Sequence, residues 1–285
     1  MNKILIILLI SKLLTCQSFN DYQGLGTYAI LNSSNSMFPD KERMDGHSYG
    51  GKEFPFREHY SDSSVFIFIP AKFKAGEQTD FVFYFHGWGN SIMQSLDEFQ
   101  LVQQFVQSGR NAVFVFPEGP KNSSDSYGGK LEQENRFTQL IDDITVNLNK
   151  NRTPVKTIGN IALAGHSGAY RVIAFILNRG GLTDHIKQII LFDGFYGQYE
   201  KYAFWLDHYQ GQFINIITPS GGTWDDSKDF LISLQQVGVA YKQINSNEFS
   251  KTDLERITFI FTDLKHSEVI NPYFRMCLQN TLFNK

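Results

Sequence analysis

Cysteine is scarce in this chain, since only Cys16 and Cys277 occur among its 285 residues. The sequence has no Cys/His spacing typical of a zinc site, and removal of an N-terminal segment would leave Cys277 without a disulfide partner. Net charge is also small, because 26 Lys and Arg residues nearly balance 29 Asp and Glu residues, giving −3 and a pI near 6.2. This balance gives no reason to expect nucleic acid as a partner.

A long hydrophobic run is missing as well. The N-terminus has Lys3 followed by mostly apolar residues 4–14, a stretch too short to span a bilayer comfortably. A positive charge, a short apolar stretch and small residues are typical of a signal peptide, which we place at residues 1–18. We therefore expect a secreted or cell-envelope protein, periplasmic in a bacterium, with no stable membrane span. Residues 13–16 also resemble a bacterial lipoprotein box, so a lipid anchor at Cys16 is an alternative.

Strand and helix patterns alternate along the rest of the chain. Residues 19–63 form an irregular lead-in with a strand at 28–31 and a loop or hairpin at 46–59. The apolar patterns then predict strands at residues 64–70, 81–85, 111–116, 158–164, 186–192, 213–218 and 257–262, and helices at residues 92–106, 137–148, 172–177, 199–209, 226–237 and 271–282. This alternation predicts one α/β domain over residues 19–285, with a mostly parallel sheet flanked by helices on both faces and antiparallel first strands.

The most informative motif is Gly165-His166-Ser167-Gly168-Ala169, between an apolar strand and a helix. A strand that turns directly into a helix forces the serine into a strained conformation and needs small neighbours, and it lifts the hydroxyl clear of the sheet. The pattern G-x-S-x-G ends here in Ala169, the next smallest residue. The alternative interpretation is that Ser167 only caps the helix.

Three further residues follow strand ends as Ser167 does: His86, Asp193 and His266. Ligands of parallel sheets bind beyond the carboxyl ends of the strands, so these four residues are expected at one edge. A serine hydroxyl needs a base to take its proton, and His266 is the best candidate. The alternative for His266 is an exposed loop histidine. We expect the ring of His166 to pack inside the turn or to line the pocket.

Two aspartates compete to orient the base. Asp193 ends its strand and needs no long reach, whereas Asp225 follows the next strand and would need the Gly-rich loop at residues 221–222 to fold back. Either carboxylate would hold the tautomer of His266 and stabilise its imidazolium. Each could instead be a helix N-cap. We favour Asp193.

Acyl transfer also needs amides that stabilise the developing oxyanion. The Gly168 amide is one candidate, because it lies at the start of the helix after Ser167. The loop at residues 86–89 supplies the other, since its two glycines allow a tight backbone in which the Trp88 amide points inward. The Trp88 ring could also wall an apolar acyl pocket.

These motifs together resemble the α/β-hydrolase superfamily, of the esterase and lipase kind, from about residue 64 to the C-terminus. The resemblance implies an eight-stranded type of sheet, with Ser167 as nucleophile and His266 as base. An acid at Asp193 is similar to the arrangement in pancreatic-type lipases, and an acid at Asp225 to the commoner esterase arrangement.

The leading hypothesis is a secreted or envelope-associated serine hydrolase that cleaves carboxylic esters through an acyl-enzyme, without cofactor or metal. Its partner is then a small-molecule ester or acyl substrate, since the stretch between Asp193 and Phe213 leaves little room for a large lid. A serine peptidase or amidase on the same fold, and a non-catalytic binding protein, are the alternatives.

Overall fold

The computed structural model describes residues 22–246 and 254–282, and within them eleven strands form a nine-stranded sheet and a separate hairpin. The strands are β1 (Gly26–Asn32), β2 (His47–Tyr49), β3 (Lys52–Phe54), β4 (Ser64–Pro70), β5 (Gln78–Phe85), β6 (Ala112–Pro117), β7 (Thr157–His166), β8 (Ile186–Phe192), β9 (Gln212–Ile217), β10 (Lys242–Asn245) and β11 (Ile257–Phe261). The large sheet has the order β1-β4-β6-β5-β7-β8-β9-β11-β10, and β2 pairs with β3 in the hairpin.

Helices fill the connections between these strands. They are α1 (Phe56–His59), α2 (Ile92–Glu98), α3 (Leu101–Ser108), α4 (Arg136–Lys150), α5 (Tyr170–Arg179), α6 (Tyr199–His208), α7 (Trp224–Gln236) and α8 (Ile270–Gln279). None of the helices in the described part of the chain is both long and apolar enough to cross a membrane.

The sheet is mostly parallel, as the alternation of elements predicts. The antiparallel pairings are β1 with β4 and β4 with β6, and the remaining pairings of the large sheet are parallel. The prediction of an α/β fold with antiparallel first strands is confirmed. The sheet has nine strands rather than eight, because the short edge strand β10 adds to it and has no continuous apolar run that would have indicated it.

Helices cover the sheet on both faces, and alternate side chains of one strand enter two separate cores. In β5, Phe81, Phe83 and Phe85 pack on the face covered by α4 to α7, whereas Val82 and Tyr84 pack on the face covered by α2, α3 and α8. Because both faces are buried, most residues of the central strands are apolar, as in parallel strands generally, and Gln188 and Asn215 are buried polar exceptions.

Two predicted boundaries were wrong. The predicted helix at residues 92–106 is two helices, α2 and α3, separated by Gln100 in the left-handed conformation with φ of 48°. The buried side chain of Gln104 donates a 2.7 Å hydrogen bond to the Phe99 carbonyl, which satisfies a main-chain acceptor at the break. Pro117 is the last residue of β6 instead of cutting it short, because a strand end does not require its missing N–H.

Part of the N-terminal interpretation lies outside the described residues, namely the signal peptide at 1–18 and the lipidation alternative at Cys16. Cys277 is buried in α8 as a free thiol.

Candidate active site

Ser167 lies in a strained turn between β7 and α5. Its φ is +54°, a left-handed value that is uncommon for residues other than glycine, and a short 3-10 turn (Ser167–Ala169) leads directly into the helix. A side chain at position 165 would put its Cβ 2.6 Å from the Ile173 Cδ1 and 3.0 Å from the Ala169 Cβ. The steric demand of the turn therefore falls on Gly165. Ala169 itself is right-handed with φ of −67°, so its conformation does not require glycine.

His266 and Asp193 are in direct contact. The Nδ1 atom of His266 lies 2.7 Å from the Oδ2 atom of Asp193, and the aspartate side chain is completely buried while that of the histidine is 32% exposed. Because the carboxylate can only accept, Nδ1 carries the proton, which leaves Nε2 as the basic ring nitrogen. Asp225 lies exposed in the first turn of α7. The structure therefore brings Asp193, and not Asp225, to His266.

The Asp193 carboxylate is held by a loop that folds over it. The Thr218 hydroxyl donates to Oδ2 at 2.5 Å, the Thr223 hydroxyl donates to Oδ1, and the Thr218 amide donates to Oδ1 at 3.3 Å. A Cβ at Gly221 would lie 1.5 Å from Oδ2, so only glycine allows this loop to pass so close. Burial alone would raise the pKa of Asp193, but the hydrogen bonds from His266 and the two threonines outweigh it and hold the pKa below the usual value.

The loop predicted to supply an oxyanion amide lies against the turn at Ser167. A Cβ at Gly87 would lie 2.7 Å from the Ser167 Cβ, so the close approach depends on glycine. The Trp88 indole N–H donates to the Ser126 hydroxyl at 2.7 Å. Trp88 and Gly168, whose main-chain amides are predicted to stabilise the oxyanion, both line the same pocket as Ser167.

A buried histidine–carboxylate pair holds this loop at its base. His86 Nδ1 donates to the Gly87 carbonyl at 2.7 Å, and its Nε2 lies 2.9 Å from the Glu118 Oε1, with both side chains almost fully buried. Glu118 also accepts a hydrogen bond from the Ile92 amide at 3.1 Å, at the start of α2. Sequence reasoning did not identify Glu118; its only signal is its position at the end of β6, directly after Pro117.

His166 links the serine turn to the loop that carries His266. Its Nε2 donates to the main-chain carbonyl of His266 at 2.9 Å, and the centres of the two imidazole rings are 4.6 Å apart with a 35° tilt. Burial, together with the charge of the neighbouring His266, lowers the pKa of His166 to about 4. His166 is therefore neutral at neutral pH.

Ser167 and His266 line the same pocket of about 600 Å³. Aromatic side chains form much of its wall, and Glu98 contributes a carboxylate. The lining residues are Trp88, Gly89, Asn90, Glu98, Phe99, Ser126, His166, Ser167, Gly168, Tyr170, Tyr196, His266 and Ser267. Over residues 22–246 and 254–282, no group of three or more His, Cys, Asp or Glu side chains could hold a metal ion.

Comparison with known proteins gives similarity in structure alone. No family model and no curated protein matches the sequence. The solved structure of the fluorophosphonate-binding serine hydrolase FphF of Staphylococcus aureus matches with a TM-score of 0.53 at 12% identity, over 90% of this chain and 98% of that one. A feruloyl esterase module from Clostridium thermocellum, complexed with sinapinate, gives 0.55 at 8% identity over 91% and 89% of the two chains. An S-formylglutathione hydrolase from Agrobacterium tumefaciens gives 0.51 at 10% identity over 90% and 94%.

These similarities, together with the sheet order, show that the chain has the α/β-hydrolase fold. At such low identity they establish the fold and not the activity, which has to be argued from the site.

Proposed function

We propose that this protein is a serine hydrolase that cleaves carboxylic esters, with Ser167 as nucleophile, His266 as general base and Asp193 as the orienting acid. The observation that carries the proposal is the 2.7 Å contact between His266 Nδ1 and the buried Asp193 carboxylate, on a histidine that shares a pocket with Ser167. A histidine held in this way directs its basic nitrogen at a neighbouring hydroxyl. The neighbours in fold, described as serine hydrolases and esterases, agree with this choice.

In the proposed reaction, His266 Nε2 takes the proton of the Ser167 hydroxyl as its oxygen attacks the ester carbonyl carbon. The amides of Trp88 and Gly168 stabilise the negative charge that forms on the carbonyl oxygen. The imidazolium then gives its proton to the departing alkoxide, which leaves an acyl group on Ser167. Water, deprotonated by the same histidine, attacks the acyl-enzyme, and the imidazolium returns that proton to the Ser167 oxygen as the carboxylic acid is released.

Labelling with a fluorophosphonate probe tests the nucleophile. We expect the wild-type protein to be labelled, and Ser167→Ala to remain folded by circular dichroism and unlabelled. Equal labelling of the two proteins would show that Ser167 is not the nucleophile. A wild-type protein that reacts with no probe and hydrolyses no ester would instead support the non-catalytic binding protein.

Paired substrates test the preference for esters. We expect turnover of p-nitrophenyl acetate and butyrate to exceed turnover of the matching p-nitroanilides by more than the difference in their uncatalysed rates. The opposite order would favour a peptidase or amidase, which uses the same three side chains.

We also propose that the protein is exported by the N-terminal segment, residues 1–18. The basis is the pattern of Lys3 followed by a short apolar run. Mass spectrometry of the mature protein, recovered from the medium or envelope, distinguishes cleavage near residue 18 from lipidation at Cys16. A chain that keeps residues 1–18 in the cytoplasm would contradict both.

A further inference from the structure

The loop that carries His266 makes few hydrogen bonds to the sheet, although its Leu264 packs against the core. It connects β11 to α8, and its first residue, Thr262, donates its amide to the Ile217 carbonyl at 3.0 Å. Residues 263–268 are exposed or half-buried, and the loop becomes buried again at Val269. Inside this stretch, the Glu268 amide donates to the Lys265 carbonyl at 2.9 Å, which closes a local turn without attaching it to the sheet.

Besides the contacts of its ring with those of His166 and Tyr196, His266 is held by hydrogen bonds at two separate points. Its ring is held through Nδ1 by Asp193, and its main-chain carbonyl is held by the Nε2–H of His166. A carbonyl can only accept, so the proton of His166 must be on Nε2. His166 is 7% exposed, and its burial keeps the imidazole neutral, with its single proton on Nε2.

We propose that His166 is a positioning residue, which fixes the main chain of His266 so that the basic nitrogen of His266 faces Ser167. This inference rests on the proposed function, because it assumes that His266 is the base. A hydrogen bond at Nδ1 alone would let the ring pivot about Asp193 as the loop shifts. A second attachment at the carbonyl of the same residue removes that freedom.

The place of His166 in the turn makes this attachment rigid. His166 directly precedes Ser167, so the same main chain carries both the nucleophile and the anchor of the base. The loop at residues 86–89 packs closely against His166, because a Cβ at Gly87 would lie 2.9 Å from the His166 carbonyl oxygen and 3.2 Å from the His166 Nδ1. The Phe99 ring packs edge-on against the imidazole, with ring centres 6.0 Å apart.

Two substitutions of nearly equal shape test the hydrogen bond. His166→Gln keeps an N–H donor at the end of an unbranched side chain, and His166→Met has similar length and volume but no donor. Both variants lose the contacts of the imidazole ring, so a difference in kcat between them measures the effect of the N–H donor. Displacement of a catalytic group by about 1 Å can cost as much as a hundredfold in rate. We expect kcat of the Met variant to be roughly ten- to a hundredfold below that of the Gln variant, with KM of the two within about twofold.

His166→Phe serves as a third variant, which retains an aromatic ring without the donor and is expected to behave like His166→Met. If circular dichroism shows that His166→Met is unfolded, His166→Phe takes its place in the comparison. Equal kcat values for the Gln variant and the folded variant without a donor would overturn the inference. So would a loss that appears in KM alone.

Ser167→Ala, measured in parallel, separates this inference from the proposed function. If Ser167→Ala retains hydrolysis, the proposed function fails whatever the variants at 166 do. If Ser167→Ala is inactive and the donor at 166 makes no difference, only the positioning role of His166 fails.

Discussion

Replacing Asp193 by Asn removes a buried negative charge with little change of shape. The carboxylate accepts hydrogen bonds from His266, from both groups of Thr218 and from Thr223. If the amide nitrogen of Asn takes the place of Oδ2, it donates to His266 Nδ1, and the proton of the ring moves to Nε2, where it blocks the base. If it takes the place of Oδ1, the tautomer survives but the imidazolium has no counter-charge.

The second orientation is the milder one and sets the smallest expected loss. A unit charge at the 2.7 Å separation of His266 Nδ1 and Asp193 Oδ2 is worth about 6 kcal/mol at an effective dielectric constant near 20. That energy stabilises the imidazolium formed in the transition state, so its loss lowers kcat by roughly four powers of ten. The Asp→Asn substitution in the Ser-His-Asp proteases, which acts through the wrong tautomer as in the first orientation, costs about ten-thousandfold.

The assay is steady-state hydrolysis of p-nitrophenyl butyrate by folded proteins with matched circular dichroism spectra. Asp225→Asn is the matched control, because it makes the same chemical change at an exposed position in the first turn of α7. We expect its kcat to stay within about twofold of wild type, as surface substitutions usually change little. An Asp193→Asn protein that keeps more than about a hundredth of wild-type kcat, or an Asp225→Asn protein that loses as much as Asp193→Asn, would contradict the assignment of Asp193 as the orienting acid.

Three further predictions concern the loop, the buried histidine and the pocket. Gly87→Ala should lower kcat by about a hundredfold, because it displaces the loop from Ser167. Gly76→Ala is the control and should leave kcat unchanged, since its Cβ would come no closer than 3.5 Å to another atom; equal kcat values for the two variants would contradict this. Because His166 has a pKa of about 4 when folded and 6.5 when unfolded, the unfolded chain takes up its proton first as the pH falls, so stability decreases between these values by roughly 3 kcal/mol. Urea unfolding at pH 7 and pH 4.5 should show a loss of stability about 2 kcal/mol larger in wild type than in His166→Gln, and equal losses in the two proteins would contradict this. Glu98, a carboxylate in the pocket wall, should raise kcat/KM for an acetate ester with a trimethylammonium group roughly fivefold above that for its uncharged tert-butyl analogue. Glu98→Gln should remove this preference, and an unchanged ratio of the two kcat/KM values in that variant would exclude the role of Glu98.

Much of the fold could be predicted because the apolar pattern of the central strands has one physical cause. The central parts of strands such as β5 and β8 are buried on both faces, so the runs at residues 81–85 and 189–192 are apolar and easily found. The break between α2 and α3 could not be found in this way. It depends on the side chain of Gln104 reaching back to the Phe99 carbonyl, a contact that leaves no mark in the helical period.

Some residues of the candidate site can likewise be predicted from the sequence, and others cannot. Residues that follow strand ends can be predicted to meet, since parallel strands bring their carboxyl ends to one edge. Partners that come from distant loops cannot. Glu118 beneath His86, and Thr218 and Thr223 around Asp193, act through contacts between segments 25 to 32 residues apart in sequence.

A local pattern at the strand end nevertheless distinguishes Asp193 from Asp225. Asp193 and Ser167 are both non-glycine residues at a strand end with positive φ, 46° and 54°, and each is followed directly by glycine. Such strain persists only where the surroundings enforce it, and it concentrates at functional sites. Glycine after the strand end allows the two turns to approach each other closely, because a Cβ at Gly194 would lie 3.0 Å from the Ser167 carbonyl oxygen. A strand that ends in a polar residue and then glycine is therefore the pattern that Asp193 shares with Ser167, and Asp225, followed by Asp226 in the first turn of α7, lacks it.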